Sequence, residues 1–239
     1  MYLLPAADYQ EFDRLRVQIE AGLGNGRGKT LLVTSCMDAE GKTAAATHLA
    51  CNVAKRGGRR VLLVDLNHRH PDVHNRLGIA DGPGVGEILR DRCDWSALVH
   101  HLWGGPDVLL AGGAPGTVRD LVPAYLQLQS RLSWRYQLIL VDGPPVLQIN
   151  RHNLDAVWLA AAADWTLLVV RPRQTTRPQI RACKRILQSA GVTQVAAIVN
   201  GKPPVGADRP QPLLPSVRRL LGRFRRRRYA RPILVSGEV

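Results

Sequence analysis

The feature that most constrains the fold is a series of short, uninterrupted apolar runs along the chain. Each run is rich in Val, Leu and Ile and does not alternate with polar residues, a pattern typical of strands covered on both faces. The runs lie at 30–35, 60–66, 107–112, 136–143, 165–172 and 194–201. Stretches of helical length lie between most of them, at 42–56, 118–133, 152–163 and 177–190. This alternation predicts an α/β fold with a doubly wound, mostly parallel sheet and helices on both faces.

The segments outside these runs suggest how the chain is divided. Residues 1–28 precede the first run, and 8–21 have the composition of a helix, so we predict an N-terminal helical segment there. Residues 29–202 contain all the apolar runs and form the predicted main domain. Prolines cluster after Asn200, which predicts that residues 203–239 are a Pro-rich linker and a basic tail.

Several classes of protein are disfavoured by composition. No run approaches 18 consecutive apolar residues, so no membrane-spanning helix is expected. The N-terminus lacks the basic start and long apolar core of a signal peptide. The four cysteines share no C-x-x-C spacing, so we expect reduced thiols in a cytoplasmic protein rather than a metal site.

The net charge of +14 is concentrated near the C-terminus, where residues 216–231 hold eight arginines and no acidic residue. Such a segment favours a polyanion, and its apolar residues at helical spacings indicate an anionic membrane surface. Nucleic acid is the weaker alternative, because only Phe224 and Tyr229 are available for stacking on bases. A solvated tail without a partner remains a third interpretation.

The first apolar run leads into a loop that resembles a phosphate-binding motif. In G-x-x-x-x-G-K-[ST], Gly41, Lys42 and Thr43 match, while Cys36 stands at the first glycine. Lys42 would contact the β- and γ-phosphates, and the Thr43 hydroxyl would ligate Mg²⁺. Backbone N–H groups at the start of the following helix would surround the phosphates. The predicted nucleotide-binding residues of this loop are Ala39, Glu40, Gly41, Lys42, Thr43 and Ala44. An ordinary strand–loop–helix with a chance lysine is the alternative.

Two aspartates support a nucleotide site. Asp65 and Asp142 each end an apolar run, and ligands of open α/β sheets bind at the carboxyl ends of the strands. A carboxylate at this edge can hold Mg²⁺ or deprotonate a nucleophile. Each aspartate would otherwise be a helix N-cap or a turn residue.

Several segments together resemble one family. They are "QEFDRLRVQI", "TSCMDAEGKT", "VLLVDLNHRHPDVH", "LILVDGPPV", "LDAVWLAAAADWTLLVVRPRQT" and "GVTQVAAIVNG", in this order and at the family's spacing. They resemble bacterial protein tyrosine kinases of capsule and exopolysaccharide biosynthesis and export. These kinases belong to the P-loop superfamily that includes the partitioning and division-site ATPases. The resemblance covers about residues 10–202.

The resemblance implies a cytoplasmic protein, peripheral at the inner face of the cell membrane, that uses ATP and Mg²⁺. It implies tyrosine phosphorylation, often of a neighbouring copy in a homo-oligomer, and a membrane-embedded polysaccharide co-polymerase or adaptor as partner. By the same resemblance, Lys42, Asp65 and Asp142 are catalytic. Thr43, Asp65 and Asp142 hold the metal, and Asn200 faces the nucleotide base.

This chain departs from the family pattern at three positions near the expected site. Asp38 and Ala39 stand where the family has proline and glycine, and Asn67 replaces the second aspartate of a D-x-D pair. We expect Asn67 to reduce turnover and Asn67→Asp to raise it. Three hypotheses therefore stand: a tyrosine-kinase-like enzyme, which is favoured; a catalytically degenerate regulatory module of a glycan assembly complex; and a membrane-associated partitioning-type ATPase.

Overall fold

The structure is a computed structural model that describes residues 6–24, 26–91, 93–113, 118–149, 153–201 and 234–235. The helices are α1 (Ala6–Gly22), α2 (Lys42–Gly57), α3 (Val73–Leu77), α4 (Val85–Asp91), α5 (Val118–Arg135), α6 (Ala156–Ala162) and α7 (Arg177–Ser189). A short 3-10 helix covers Trp95–Leu98. The strands are β1 (Lys29–Ser35), β2 (Val61–Asp65), β3 (His100–His101), β4 (Asp107–Leu109), β5 (Leu138–Asp142), β6 (Trp165–Val170), β7 (Val195–Val199) and β8 (Leu234–Val235).

The strands form one sheet in the order β3-β4-β2-β5-β1-β6-β7-β8. Every neighbouring pair is parallel except the edge pair of β3 and β4. The predicted doubly wound, mostly parallel α/β sheet is therefore confirmed. Because the central strands run in one direction, the ends of β1, β2 and β5 lie together at one edge. That edge is where open sheets of this kind bind ligands.

Each predicted apolar run contains a strand, but two of the predicted strand and helix boundaries are wrong by three residues or more. The fourth strand along the chain ends at Leu109, because the Leu110 and Ala111 carbonyls accept hydrogen bonds from Val85 and Gly86 instead of extending the sheet. The helix predicted at 152–163 occupies only Ala156–Ala162. Its start is fixed by Asp155, whose carboxylate accepts a hydrogen bond from the Val157 N–H at 2.8 Å.

The two faces of the sheet bury separate hydrophobic clusters. Along β1, Leu32 belongs to one cluster and its neighbours Leu31 and Val33 belong to the other. Successive side chains of a strand point to opposite faces, so this division follows directly from the unbroken apolar run. Burial of each such side chain contributes about 1.5–3 kcal/mol to the free energy of folding. The buried central strands therefore hold the residues at their ends in fixed positions.

The N-terminal helix α1 packs on α2 and shares its hydrophobic cluster. Phe12, Leu15 and Ile19 are buried with the alanine-rich face of α2. Arg16 pairs within the helix with Asp13 and with Glu20, the latter at 2.9 Å. The division of the chain at residues 28 and 202 stays a prediction.

The predicted linker and basic tail fall outside the described residues except at Leu234–Val235, which pair with β7. The arginine-rich stretch 216–231 is among the residues that the structure does not describe. Among the helices that it does describe, none is both long and apolar enough to cross a membrane.

Candidate functional site

The loop between β1 and α2 has the backbone that a phosphate-binding loop requires. Gly41 has a φ of 90°, and a Cβ there would lie 1.9 Å from Asn200 Nδ2, so only glycine fits. Ala39 also has a positive φ, 61°, which costs a non-glycine residue about 1–2 kcal/mol. Cys36, at the position of the first motif glycine, is not among the described residues with positive φ. A side chain is therefore tolerated at that position.

Glu40 braces the loop from inside. Its side chain is fully buried and accepts hydrogen bonds from the Met37 N–H, at 3.0 Å, and from the Thr175 hydroxyl. Its backbone carbonyl accepts a hydrogen bond from Asn200 Nδ2 at 2.9 Å. Because both the carboxylate and the carbonyl of Glu40 have protein partners, Glu40 can contact a ligand only through its N–H.

The loop that follows β6 holds the phosphate loop from outside. Arg171 donates a hydrogen bond to the Ala39 carbonyl at 3.1 Å, and Gln174 donates to the Asp38 carbonyl at the same distance. These contacts hold consecutive carbonyls away from the start of α2. The N–H groups at the first turn of α2, at Lys42, Thr43 and Ala44, have no acceptor within the helix, so an anion is the natural partner there.

Lys42 begins α2 and is 5% exposed. Its ammonium lies 3.4 Å from the Asp38 carboxylate, which is the one ion pair that the described residues give it. Thr43 follows, 8% exposed, and its carbonyl accepts a hydrogen bond from the Thr47 hydroxyl at 2.8 Å. The predicted phosphate-contacting and metal-binding side chains of the loop thus lie side by side at the helix start.

Asp65 and Asp142 end neighbouring strands in direct register. Because register partners point to the same face of a parallel sheet, the two carboxylates lie close together. Asp65 accepts hydrogen bonds from the N–H groups of Asn67, at 2.9 Å, and Val73, at 3.4 Å. Neither carboxylate oxygen of Asp142 has a hydrogen-bond partner among the described residues, and the residue is completely buried.

The Asp65 and Asp142 carboxylates are two buried acidic groups side by side, an arrangement that favours the binding of a cation. Burial raises the pKa of Asp65, although its backbone hydrogen bonds partly oppose the shift. The pKa of Asp142 is raised by burial and then by the neighbouring Asp65 charge, and Thr43, Lys42 and Arg76 only partly offset both. Burying the Asp142 carboxylate beside another carboxylate and without a hydrogen-bond donor is costly. A divalent cation coordinated by these oxygens and by Thr43 would remove that cost, so the residues present fit Mg²⁺.

Asn67 is held in a hydrogen-bond network of its own. Its Nδ2 donates to the His70 carbonyl at 3.0 Å, and its Oδ1 accepts from Asn153 Nδ2 at 3.4 Å. The residue is 3% exposed. Its amide therefore stabilises the loop after β2, a role that the sequence did not reveal.

Asn200 lies against the phosphate loop. The resemblance assigns it to the nucleotide base, whereas the structure places its amide nitrogen on the Glu40 carbonyl, beside Gly41. Its amide oxygen has no protein partner in the hydrogen bonds described above. Asn200 thus fixes the peptide that precedes Gly41, and its contact with a base stays a prediction.

Sequence reasoning missed Gln148, Arg171, Gln174 and Thr175, all of which hold the phosphate loop. A signal for three of them was present, since Arg171, Gln174 and Thr175 lie within the five residues that follow β6. Polar residues that follow a strand of a parallel sheet lie at its ligand-binding edge.

A parallel sheet with a glycine–lysine–threonine loop after β1, facing two strand-end aspartates, defines a P-loop α/β protein. Comparison with known proteins shows which P-loop proteins this chain is similar to. The chain is 28% identical to tyrosine-protein kinase YwqD of Bacillus subtilis over 200 residues, which are 81% of each chain. It is 27% identical to tyrosine-protein kinase etk of Escherichia coli over 191 residues, 78% of this chain and 26% of that protein. No family model matches the chain. The chain is therefore similar in sequence to bacterial tyrosine-protein kinases, and its site is that of a P-loop protein.

Solved structures of bacterial tyrosine kinase domains have a fold similar to that of this chain. The kinase domain of the Escherichia coli tyrosine kinase ETK superposes with a TM-score of 0.72 at 26% identity, over 81% of this chain and 75% of that one. The VpsO kinase domain gives a TM-score of 0.69 at 27% identity, over 80% and 92%. Cobyrinic acid a,c-diamide synthase from Mycobacterium smegmatis, solved with ADP and magnesium, shares the fold at 17% identity with a TM-score of 0.62, over 75% and 77%. The fold is thus one on which a nucleotide and magnesium bind in a known protein.

Proposed function

We propose that this protein is an ATP-binding tyrosine-protein-kinase-like enzyme of bacterial capsule or exopolysaccharide biosynthesis and export. The observation that carries the proposal is the arrangement of Lys42 and Thr43 at the start of α2, beside the buried carboxylates of Asp65 and Asp142, of which Asp142 has no hydrogen-bond partner among the described residues. The names of its relatives, tyrosine-protein kinases, support the reaction class.

Each residue has a distinct role in this proposal. Mg-ATP, when bound, supplies the phosphoryl group. Lys42 neutralises charge on the phosphates, and the N–H groups from Ala39 to Ala44 orient them. Thr43, Asp65 and Asp142 would hold the metal. Asp65, already fixed by two backbone N–H groups, orients the metal's ligands or accepts the tyrosine proton, and Asn200 positions the loop and borders the base.

The partners of the whole protein are proposals as well, since the chain spans about four fifths of YwqD but about a quarter of Etk. We propose that the chain acts on a neighbouring copy of itself and works with a membrane-embedded polysaccharide co-polymerase or adaptor. Such a partner places the protein in the cytoplasm, peripherally at the inner face of the membrane.

Contact with an anionic membrane surface is supported by charge on the described residues too. Residues 165–201 contain six basic side chains and no acidic one. On α7, Arg177, Arg181 and Arg185 are exposed and form no ion pair with the described part of the chain. Each basic residue near an acidic leaflet contributes about 1 kcal/mol to binding.

Co-sedimentation with vesicles tests the membrane contact. We expect the full chain to pellet with phosphatidylserine vesicles at physiological salt, and a variant with glutamine at the arginines of 216–231 to remain in solution. Equal pelleting of both proteins would contradict this contact. Displacement of the full chain from vesicles by stoichiometric duplex DNA would indicate nucleic acid as the preferred partner.

A regulatory module without catalytic activity is the second candidate. Asp38 already forms an ion pair with Lys42, and Asn67 adds no negative charge near the expected metal site. Calorimetric titration with Mg-ATP, followed by phosphotyrosine detection on the same sample, distinguishes the two. We expect Lys42→Ala to weaken binding by about 2–4 kcal/mol, the loss of a charge-assisted phosphate contact. Lys29→Ala, which removes a lysine at the opposite end of β1, is the matched control. Binding without autophosphorylation would favour the regulatory module, and equal affinity of wild type and Lys42→Ala would contradict the phosphate-loop function.

A further inference from the structure

The lysine of the phosphate loop already has an anion beside it. Asp38 Oδ1 lies 3.4 Å from Lys42 Nζ, and the Lys42 side chain is 6% exposed while that of Asp38 is 28% exposed. Two opposite charges at this distance and partial burial attract each other several times more strongly than in water. The pair therefore holds the ammonium where a phosphate would otherwise be its partner.

The Asp38 carboxylate is not needed to shape the loop. The Asp38 N–H donates to Gln148 Oε1 at 2.7 Å, and the Asp38 carbonyl accepts from Gln174 Nε2 at 3.1 Å. Both peptide groups are thus held by other side chains. Gly41 caps α2 without a side-chain hydrogen bond, so Asp38 is not the helix cap either.

The other acids near Lys42 cannot act as Asp38 does. The Glu40 carboxylate is bonded to the Met37 N–H and the Thr175 hydroxyl. Asp142 is completely buried and would remain in place when a ligand arrives. Asp38 alone among these carboxylates is partly exposed, so it can rotate from Lys42 into solvent.

We propose that Asp38 is an internal competitor of the ligand's phosphates for Lys42 and thereby sets the affinity of the site for polyphosphates. The inference rests on the proposed nucleotide binding. A phosphate that reaches Lys42 displaces the Asp38 carboxylate, and the two anions then repel each other across the loop. In the free protein Asp38 stays paired with Lys42, and only a ligand with several negative charges displaces it.

The competition depends on the charge of the ligand. Adenosine has no phosphate and leaves the Asp38–Lys42 pair intact, so Asp38 does not affect its binding. Pyrophosphate and ADP both need Lys42, and both therefore bind against Asp38.

The test is calorimetric titration of the full chain with adenosine, pyrophosphate and ADP, each with Mg²⁺. Asp38→Asn keeps the size and hydrogen-bonding capacity of the side chain and removes its charge. Asp38→Ala is a second variant in case the amide itself contacts Lys42. Asp94→Asn removes the same charge from an exposed N-cap elsewhere, where asparagine caps equally well.

We expect both Asp38 variants to bind pyrophosphate and ADP about tenfold more tightly than wild type, with adenosine unchanged and Asp94→Asn within about twofold. Tighter binding by the variants where wild type shows none would also support the proposal. Unchanged or weaker ADP binding by the Asp38 variants would overturn it while leaving the proposed nucleotide binding intact. An equal gain in Asp94→Asn would assign the effect to net charge and overturn it as well. If no protein bound any of the phosphates, the proposed function itself would fall.

Discussion

The ends of β2 and β5 carry the same residue in the same register, yet their surroundings differ. Asp65 accepts hydrogen bonds from two backbone N–H groups of the loop that follows it. Asp142, its register partner, has none among the described residues, and Gly143 and two prolines follow it. Proline has no N–H, and the Gly143 N–H donates to the Val33 carbonyl at 2.9 Å.

The hydrogen bonds of the Asp65 carboxylate are thus supplied by the fold itself, whereas the Asp142 carboxylate can gain a partner only from a ligand or a cation. Asp65 organises the loop from 65 to 73, so its removal is expected to affect folding first. Asp142 contributes little to the stability of the free protein and much to the binding of a cation. Site function and fold stability therefore depend on different members of one pair.

The largest expected effect is on the stability of the β2 end. Asp65→Asn leaves an amide NH₂ facing a backbone N–H, and we expect a loss of about 1–3 kcal/mol in the free energy of unfolding. Urea denaturation measures it. Asp155→Asn is the control, because asparagine replaces aspartate at an N-cap almost without loss. A loss no larger than that of the control would contradict the structural role of Asp65.

A somewhat smaller effect is expected at Asn67, which belongs to the same loop. The sequence alone predicted that Asn67→Asp would raise activity, and the structure adds a cost to that change. An aspartate would face the His70 carbonyl without a proton to donate and would add charge beside Asp65. We expect a loss of about 1–2 kcal/mol in stability, measured by urea denaturation without Mg²⁺. Activity that rises without any loss of stability would mean that position 67 points to the metal.

The smallest effect is expected at Asp142 and depends on pH. A carboxyl whose pKa is raised in the folded state keeps its proton while the unfolded chain loses it, so stability falls as pH rises above about 4. Asp142→Asn removes this loss. With Mg²⁺ chelated, we expect the variant to match wild type at pH 4 and to exceed it by about 1 kcal/mol at pH 8. Denaturant curves at both pH values measure it, and a variant less stable than wild type at pH 8 would contradict the raised pKa.

The sequence was sufficient to predict the parts of the site that lie at strand ends. Unbroken apolar runs located β1, β2 and β5. Asp65 and Asp142, which end two of these strands, and Lys42, which begins the helix after the third, then had to share one edge of the sheet. The antiparallel β3 was not predicted, since its two residues, both histidine, carry no strand pattern.

The rest depended on side-chain directions that no local pattern encodes. Glu40 meets Thr175 across 135 positions of sequence, and Asn200 reaches Glu40 across 160. The sequence placed Asp38 near the expected site, but the direction of its carboxylate toward Lys42 follows only from the folded loop.

The central claim is that Asp142 binds a metal ion that accompanies a nucleotide. Calorimetric titration of ATP with and without Mg²⁺ tests this claim most directly. We predict that Mg²⁺ tightens ATP binding to wild type by at least about tenfold, or 1.4 kcal/mol. The same comparison in Asp142→Asn is predicted to give less than about twofold, because the orphaned carboxylate is gone. An equal effect of Mg²⁺ in both proteins, or none in wild type, would contradict the account.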